Sequence, residues 1–227
     1  MSRIIPLKLG FADAHLVLDQ QAILVDTGIN TSREEYLSLF SQAGLSPQDI
    51  TLLIITHGHA DHYGNLRMLK DLTNAPVLCH IKAAQALQTG IDEAIIPCKG
   101  LGESVWKKIE HHLPKSASTI IPDLLAGKVF DLSPYGIAGK TVHTPGHTPG
   151  SLSVLLDSGE AIVGDLIVNP PFSTSPSLAY FATDEAALQQ SAGRLLQKAH
   201  TFFGSHGGPF YKKDIVPLLA NQEFQSL

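Results

Sequence analysis

The chain has 227 residues, of which 44% are hydrophobic and 16% are charged, and its formal net charge at pH 7 is −5. This composition excludes a disordered chain, and the length is sufficient for a single domain, residues 1–227, with a sizeable core. The 16 basic residues are outnumbered by 21 acidic ones and form no cluster. We therefore expect a small-molecule substrate and no nucleic-acid partner, because phosphate backbones are bound by basic surfaces.

The sequence carries no signal for a membrane or for export. No run of eighteen apolar residues occurs, so we expect no membrane partner, and residues 1–6 lack the apolar core and cleavage site of a secretory signal. The two cysteines, Cys79 and Cys98, predict no disulfide framework, although one bond between them is left open. These features predict a cytoplasmic protein, and they leave its oligomeric state open.

The first predicted elements are a buried strand and a helix. The apolar run Ile23 to Val25 precedes Asp26-Thr27-Gly28, which is typical of a turn. We interpret Asp26 as a turn residue whose carboxylate bonds nearby backbone N–H groups; the alternative is a carboxylate that orients a metal ligand. Ser32 and Glu35 have the spacing of a capping box, which predicts that a helix begins there.

A histidine-rich run follows the apolar segment Thr51 to Ile55. Residues 56–62 read Thr-His-Gly-His-Ala-Asp-His, so three imidazoles and a carboxylate lie at the predicted end of a buried strand. His57 and His59 would point about 200° apart on a helix, whereas in an extended segment both can reach one ion. Asp61 and His62 lie past the bend and can face a second ion. Because a catalytic zinc usually takes three protein ligands, the run predicts two metals.

Three later residues also lie where a predicted strand runs into a turn. His147 lies in the sequence Thr-Pro-Gly-His-Thr-Pro-Gly, Asp165 follows the apolar run 161–164, and His206 precedes Gly-Gly-Pro. A carboxylate at the end of a buried strand is unfavourable unless it has a partner. We therefore predict that these three residues complete the metal site. The histidines predicted not to be ligands are His15, His80, His111, His112, His143 and His200.

The segments between these residues carry helix and strand patterns. The leucines of residues 66–72 predict a short helix, residues 76–79 a strand, and residues 151–156 with 161–164 a hairpin. Asp184 is the predicted N-cap of a later helix, whose buried stripe would be Ala187, Leu188, Ser191, Leu195 and Ala199. Short strands that alternate with helices predict sheets covered by outer helices.

Two segments are candidates for contact with a substrate. Residues 169–181, rich in proline and aromatic residues, are either an apolar loop over the site or a packed surface connection. Residues 91–125 are predicted to be an inserted helical segment. Within it, Trp106 and Ile109 either line an acyl pocket or only hold a short helix against the sheet.

The order of these motifs resembles that of the metallo-β-lactamase superfamily. The family's His-x-His-x-Asp-His signature matches residues 57–62, and its later ligands match the three residues named above. Residues 23–28 are similar to its early strand and turn, so the resemblance extends over nearly the whole chain. It implies an α/β fold, the αββα sandwich, with the ligand turns along one edge of two facing sheets. It also implies that one metal is held by His57, His59 and His147, the other by Asp61, His62 and His206, with Asp165 as the bridge.

The chemistry expected of such a centre is hydrolysis. The cofactors would be two divalent metal ions, with zinc expected and iron or manganese left open, because imidazole and carboxylate suit all three. Metal coordination lowers the pKa of a bound water to about 7, which supplies a hydroxide to attack a carbonyl carbon. Asp61 is also the candidate catalytic residue that steers or accepts a proton. We predict that the chain hydrolyses a thioester, ester or lactone.

Branches of the family differ from one another at a few positions, and the residues of this chain at those positions limit the substrate classes to be considered. Glyoxalase II enzymes add a helical domain after the last ligand, where this chain has 21 residues. Lactonases of the family have a Tyr at the position of Val168, and family β-lactamases lack an Asp at the position of Asp165. The alternative function is that of a persulfide dioxygenase with a single iron. A second alternative is a phosphodiesterase. The sequence argues against it, because phosphates are usually bound in a basic groove and this chain has no cluster of basic residues.

Overall fold

Two six-stranded sheets face each other in the computed structural model, which describes residues 2–111, 119–170 and 175–219. The first sheet consists of β1 (Arg3–Leu7), β2 (Ala14–Leu18), β3 (Ala22–Val25), β4 (Ile50–Ile54), β5 (Val77–His80) and β6 (Leu124–Ala126). The later strands are β7 (Val129–Asp131), β8 (Gly139–His143), β9 (Leu152–Leu156), β10 (Glu160–Gly164), β11 (Ile167–Val168), β12 (Ser177–Leu178), β13 (Thr201–Gly204) and β14 (Phe210–Tyr211). The α-helices are α1 (Arg33–Gln42), α2 (Ala60–Tyr63), α3 (Leu66–Thr73), α4 (Ala84–Thr89), α5 (Leu101–Ile109), α6 (Glu185–Leu196) and α7 (Lys212–Ile215).

The strand order places several strand ends at one edge of the sandwich. The first sheet runs β1 to β6 in chain order, with antiparallel pairs up to β3 and parallel pairs from β3 onward. The second sheet runs β14-β13-β10-β9-β8-β7, and only β10 and β13 pair in parallel. Parallel neighbours end on the same side. The turns after β3 and β4, and those after β10 and β13, are therefore neighbours within each sheet.

Three apolar layers hold the elements together. Ile23, Leu52 and Val154 belong to the layer between the sheets, whereas Leu24 and Leu53 face the helices that cover the first sheet. A third layer packs α6 and α7 against the second sheet. Strands covered on both faces are apolar throughout, which explains the continuous runs seen in the sequence. The predicted αββα sandwich is confirmed.

Local signals mark most helix ends correctly. The Ser32 hydroxyl accepts a hydrogen bond from the Glu35 backbone N–H at 3.1 Å where α1 begins, and Asp184 caps α6 by accepting from Ala187 N–H at 2.9 Å. The predicted 66–72 helix and the 151–164 hairpin are also confirmed. Ala199 lies beyond the end of α6 at Leu196, although it is buried as expected.

Some of the remaining predictions are tested by the described residues, and others concern residues that the structure does not describe. Helix α5 confirms a helical piece within residues 91–125. His112, residues 171–174 of the 169–181 segment and the side chain of Ile109 lie outside the described residues, so the predictions that concern them are not tested. The described helices include none that combines the length and the apolar character needed to cross a membrane. Cys79 and Cys98 are both free thiols.

Candidate metal centre

The histidine-rich run leaves β4 and folds back through one turn of helix. His57 and His59 lie in the connection after β4, and α2 then carries Asp61 and His62. The backbone N–H of His62 donates to the carbonyl of His59 at 2.9 Å, which closes the turn. His59 has an extended backbone, and Asp61 and His62 lie past the bend as the spacing predicted, although the helical turn that carries them was not predicted.

Three imidazoles form the first group. Nε2 of His57 lies 3.0 Å from Nδ1 of His59, and Nε2 of His147 lies 3.2 Å and 3.1 Å from these two atoms. Tetrahedral nitrogen ligands at zinc-like bond lengths are separated by about 3.3 Å. The spacing of the three nitrogen atoms therefore fits a single ion.

Asp61, His62 and His206 form the second group. Oδ2 of Asp61 lies 3.2 Å from Nε2 of His206 and 3.6 Å from Nε2 of His62. The three ligand atoms lie within 4.8 Å of one another. This group fits a second ion next to the first.

The carboxylate of Asp165 lies between the two groups. Its Oδ2 is 3.6 Å from Nε2 of His147 and 3.4 Å from Nε2 of His206, and its Oδ1 is 3.3 Å from Nε2 of His62. Oδ1 of Asp165 and Nε2 of His62 are buried without a hydrogen bond. Buried polar atoms rarely stay unpaired, so these two suit cation ligands. The structure thus brings all seven predicted side chains together.

Burial keeps the first group neutral. It lowers the pKa of His57 and His147, and it lowers the pKa of His59 to about 3, with neighbouring imidazoles adding to the effect. A neutral imidazole has a free lone pair at one nitrogen. These three histidines therefore present metal-ligand nitrogens without first losing a proton.

The second group has the opposite electrostatics. Burial alone would lower the pKa of His206, but Asp165 and Asp61 raise it to about 10, and the same carboxylates with Asp26 raise that of His62 above its usual range. Burial alone would raise the pKa of Asp61, but His62 and His206 lower it to about 2. Opposite charges stabilise each other in this half of the centre, so cation binding there is coupled to proton release.

Asp26 is not the local turn residue that we expected. It is fully buried, and its Oδ2 accepts hydrogen bonds from Nδ1 of His62 at 2.8 Å and from the Thr56 hydroxyl at 2.7 Å. Its Oδ1 accepts from the Thr56 backbone N–H at 2.8 Å. The favoured interpretation was wrong, because the partners of the carboxylate, Thr56, His62 and Ser205, lie 30, 36 and 179 residues further along the chain. Asp26 orients a histidine of the centre.

Backbone and hydroxyl groups orient two further imidazoles. Nδ1 of His147 lies 2.7 Å from the carbonyl oxygen of Phe181, and Nδ1 of His57 lies 3.1 Å from the Thr56 hydroxyl. A carbonyl oxygen can only accept, so Nδ1 of His147 carries the proton and its Nε2 lone pair points toward the first group.

Glu93 connects the two loops that carry the first group, and no sequence pattern indicated it. Its Oε2 accepts from the backbone N–H of Gly58 at 2.8 Å, and its Oε1 accepts from that of Gly150 at 3.2 Å. Its own N–H donates to the Gly58 carbonyl at 2.9 Å. Gly58 separates His57 from His59. Glu93 lies in an irregular segment, so only the three-dimensional contacts reveal it.

Five of the histidines predicted not to be ligands, His15, His80, His111, His143 and His200, are described by the structure and belong to none of the three groups. His143 stacks on His80 with ring centroids 3.9 Å apart, and its Nε2 lies 2.9 Å from the carbonyl of Pro149. His15 is buried beside Phe203, with ring centroids 6.0 Å apart. These side chains have contacts that do not involve the seven clustered residues.

A cavity of about 260 Å³ opens above the centre. Its floor consists of His59, Asp61, His147, Asp165 and His206. Both segments predicted to lie near a substrate contribute to its walls: residues 169–181 through Asn169, Ala179, Tyr180 and Phe181, and residues 91–125 through Ile95 and Val105. Trp106 instead packs edge-on against Phe181 at 5.9 Å. The centre is therefore accessible from this cavity.

Known proteins show the same fold and overall sequence pattern. The chain is 28% identical over 207 residues to the human metallo-beta-lactamase domain-containing protein 1. The matched region covers 88% of this chain and 65% of the human protein. The chain is also 27% identical over 156 residues to the "Probable metallo-hydrolase MJ0888" of Methanocaldococcus jannaschii, covering 69% and 67%.

Solved structures agree with these relatives. The BLEG-1 B3 metallo-beta-lactamase matches with a TM-score of 0.71 at 20% identity, covering 97% of this chain and 100% of that one. TTHA1623 in a di-iron-bound form matches with a TM-score of 0.68 at 22% identity, covering 96% and 97%. The family description "Metallo-beta-lactamase superfamily" matches residues 7–206. This chain therefore belongs to the metallo-beta-lactamase superfamily.

Proposed function

We propose that the chain is a dinuclear metal-dependent hydrolase that cleaves a thioester, an ester or a lactone. The observation that carries this proposal is the position of Asp165, whose carboxylate lies within 3.6 Å of nitrogen atoms from both groups. A carboxylate so placed can serve two cations at once. The names of several relatives as metallo-hydrolases support the same reaction class.

The residues of the chain are arranged for carbonyl hydrolysis. When bound, two divalent cations supply a water of lowered pKa and a Lewis acid for the carbonyl oxygen. In the proposed roles, the neutral His57, His59 and His147 hold one cation, while Asp61, His62 and His206 hold the other. Asp165 would contribute a carboxylate oxygen to each of them. Asp26 and the Phe181 carbonyl keep two of the imidazoles in the required tautomer.

Asp61 is proposed to steer the proton of the attacking group. Its Oδ2 lies on the cavity floor, 3.2 Å from Nε2 of His206. Its pKa is lowered to about 2, because His62 and His206 outweigh the effect of burial. The carboxylate therefore stays ionised at neutral pH and can accept a hydrogen bond from a donor in the cavity.

Two serines near the centre are not suited to act as nucleophiles. Ser205 donates its hydroxyl proton toward Asp26 at 3.3 Å, and the Ser151 hydroxyl accepts from the Thr148 N–H at 3.1 Å. Both are buried and engaged in structural contacts. A direct attack by water is therefore the better supported mechanism than a covalent serine intermediate.

Metal content tests the proposal first. We expect about two equivalents of metal in the metal-replete protein, with zinc preferred; a solved protein of the same fold is known in a di-iron-bound form, so iron is included in the measurement. Asp165→Ala should lose one equivalent and most turnover. His143→Ala, whose side chain stacks on His80, should change neither. Protein that retains no metal after incubation with zinc, iron or manganese would overturn the proposal.

A substrate panel tests the reaction itself. The same preparation should hydrolyse thioesters, esters or lactones, and turnover should cease with a chelator and return with added metal. Oxygen uptake is followed in parallel with glutathione persulfide as substrate. Oxygen consumption with one iron per chain would favour the persulfide dioxygenase. Cleavage of phosphodiesters alone would favour the phosphodiesterase.

A further inference from the structure

The cavity has apolar walls that the metal centre does not explain. Apart from Asn169 and Tyr180, the wall residues are Phe11, Ile95, Val105, Val168, Ala179 and Phe181. Phe181 is held in place by edge-on contacts with Trp106 and Tyr180. The polar floor suits a reacting carbonyl group, whereas the walls suit a hydrocarbon attached to it.

The walls also lack positive charge. Among the described residues that line this cavity there is no lysine or arginine, and Lys99 lines a separate pocket. The charged side chains that face the space lie on its floor and include the carboxylates of Asp61 and Asp165 and the imidazole of His206. An anionic group in the upper cavity would lose its hydration without gaining a cationic partner. The upper part of the cavity therefore disfavours substrates with a negatively charged acyl group.

The volume limits the length of the group that can enter. A space of about 260 Å³ holds about nine water-sized groups of roughly 30 Å³ each. We propose that the cavity binds the uncharged, apolar acyl group, about four to eight carbons long, of an ester or thioester. This inference rests on the function proposed above. Each buried methylene should raise kcat/KM about fourfold until the space is full.

A series of p-nitrophenyl esters tests the chain length and the charge separately. With the metal-replete protein of 227 residues, kcat/KM should rise from the acetyl to about the hexanoyl ester and then stop rising. The monomethyl succinyl ester should be hydrolysed at least tenfold more efficiently than the succinyl ester, which has a similar shape but an added negative charge. Equal values for this pair, or no dependence on chain length, would overturn the inference.

A lysine introduced into the wall should reverse the charge preference. Ile95 lines the cavity and is half-buried, while its neighbour Ile96 is 48% exposed and does not line it. Ile95→Lys should raise the ratio of succinyl to monomethyl succinyl hydrolysis at least tenfold, and the matched control Ile96→Lys should leave it unchanged. The same ratio in both variants would contradict an acyl site at this wall.

A binding measurement separates this inference from the proposed function. Hexan-1-ol cannot be hydrolysed, and its binding is followed by calorimetry. Hexan-1-ol should bind the wild-type protein, and it should bind at least tenfold more weakly to Val105→Phe, in which the larger ring fills the cavity. Ile95→Phe replaces this variant if Val105→Phe does not fold. Absent ester hydrolysis with this binding pattern would reject the hydrolase but keep the apolar site. Hydrolysis without chain-length dependence would reject the apolar site alone.

Discussion

The carboxylate of Asp26 accepts a hydrogen bond from Nδ1 of His62 at 2.8 Å, and both side chains are fully buried. Thr56 donates to the same carboxylate through its backbone N–H and its hydroxyl. With Nδ1 protonated, Nε2 of His62 faces Asp61 and Asp165. Asp26 therefore fixes which nitrogen of His62 is available to a cation.

Asp26→Asn should weaken metal binding by about 10- to 100-fold, because an uncharged amide is a poorer acceptor for the imidazole N–H. The affected half of the centre contains His62, so loss of one equivalent should precede loss of the other. Competition with a chelator measures both affinities. Asp157→Asn, at the exposed hairpin turn, is the matched control. Unchanged affinity in Asp26→Asn would contradict the orienting role.

The sequence predicted the clustered side chains better than the groups that hold them. His57, Asp165 and their partners follow apolar strands, and strand ends at one edge of a sandwich meet in space. Asp26 was misinterpreted because its partner is 36 residues away, so no local pattern shows the contact. Glu93 was missed because an isolated glutamate between irregular residues has no periodicity.

Glu93→Gln should loosen the two loops that carry the three-imidazole group. The amide retains one acceptor oxygen, so its NH₂ must face the N–H of either Gly58 or Gly150, at a cost of about 1–3 kcal/mol. We expect a lower free energy of unfolding in urea and a changed visible spectrum of the cobalt-substituted protein. Glu34→Gln, on the exposed face of α1, controls for the loss of charge. A spectrum identical to that of the wild type would argue against the connection.

The stacked pair of His80 and His143 should make stability depend on pH. Burial, together with the nearby His143 and Lys82, lowers the pKa of His80 from an ordinary value of 6.5 to about 4. Arg194 acts in the same direction on His143. The folded-state pKa of His80 lies below the unfolded one, so its contribution is complete above pH 6.5 and is lost as the pH falls toward about 4.

His80→Phe isolates this effect, because phenylalanine can stack on His143 but does not titrate. Urea unfolding at pH 7.5 and pH 5 should show a larger loss of stability for the wild type than for the variant. The other buried histidines titrate in both proteins, so their contribution cancels in the comparison. Parallel pH dependence in the two proteins would show that His80 is not responsible.

The turns of the second sheet show why packing could not be read from the sequence. Pro145 and Gly146 predicted a turn before His147, but the reason for glycine there is a helix 40 residues further on. A Cβ at Gly146 would lie 2.2 Å from the backbone nitrogen of Leu188, near the start of α6. The turn and the helix are therefore in backbone contact, which a single sequence does not indicate.

Gly146→Ala should therefore displace His147 or the first turn of α6. The glycine has φ +139°, which alanine adopts only with strain, and its neighbour is backbone that cannot rotate away. Together these effects should lower the free energy of unfolding by about 3 kcal/mol or more, and metal binding by the three-imidazole group should weaken. Gly127→Ala is the matched control, since a Cβ there meets no atom within 4 Å. Urea unfolding and metal titration of both variants check the prediction; if Gly146→Ala resembles Gly127→Ala in both measurements, the close approach of turn and helix does not position His147.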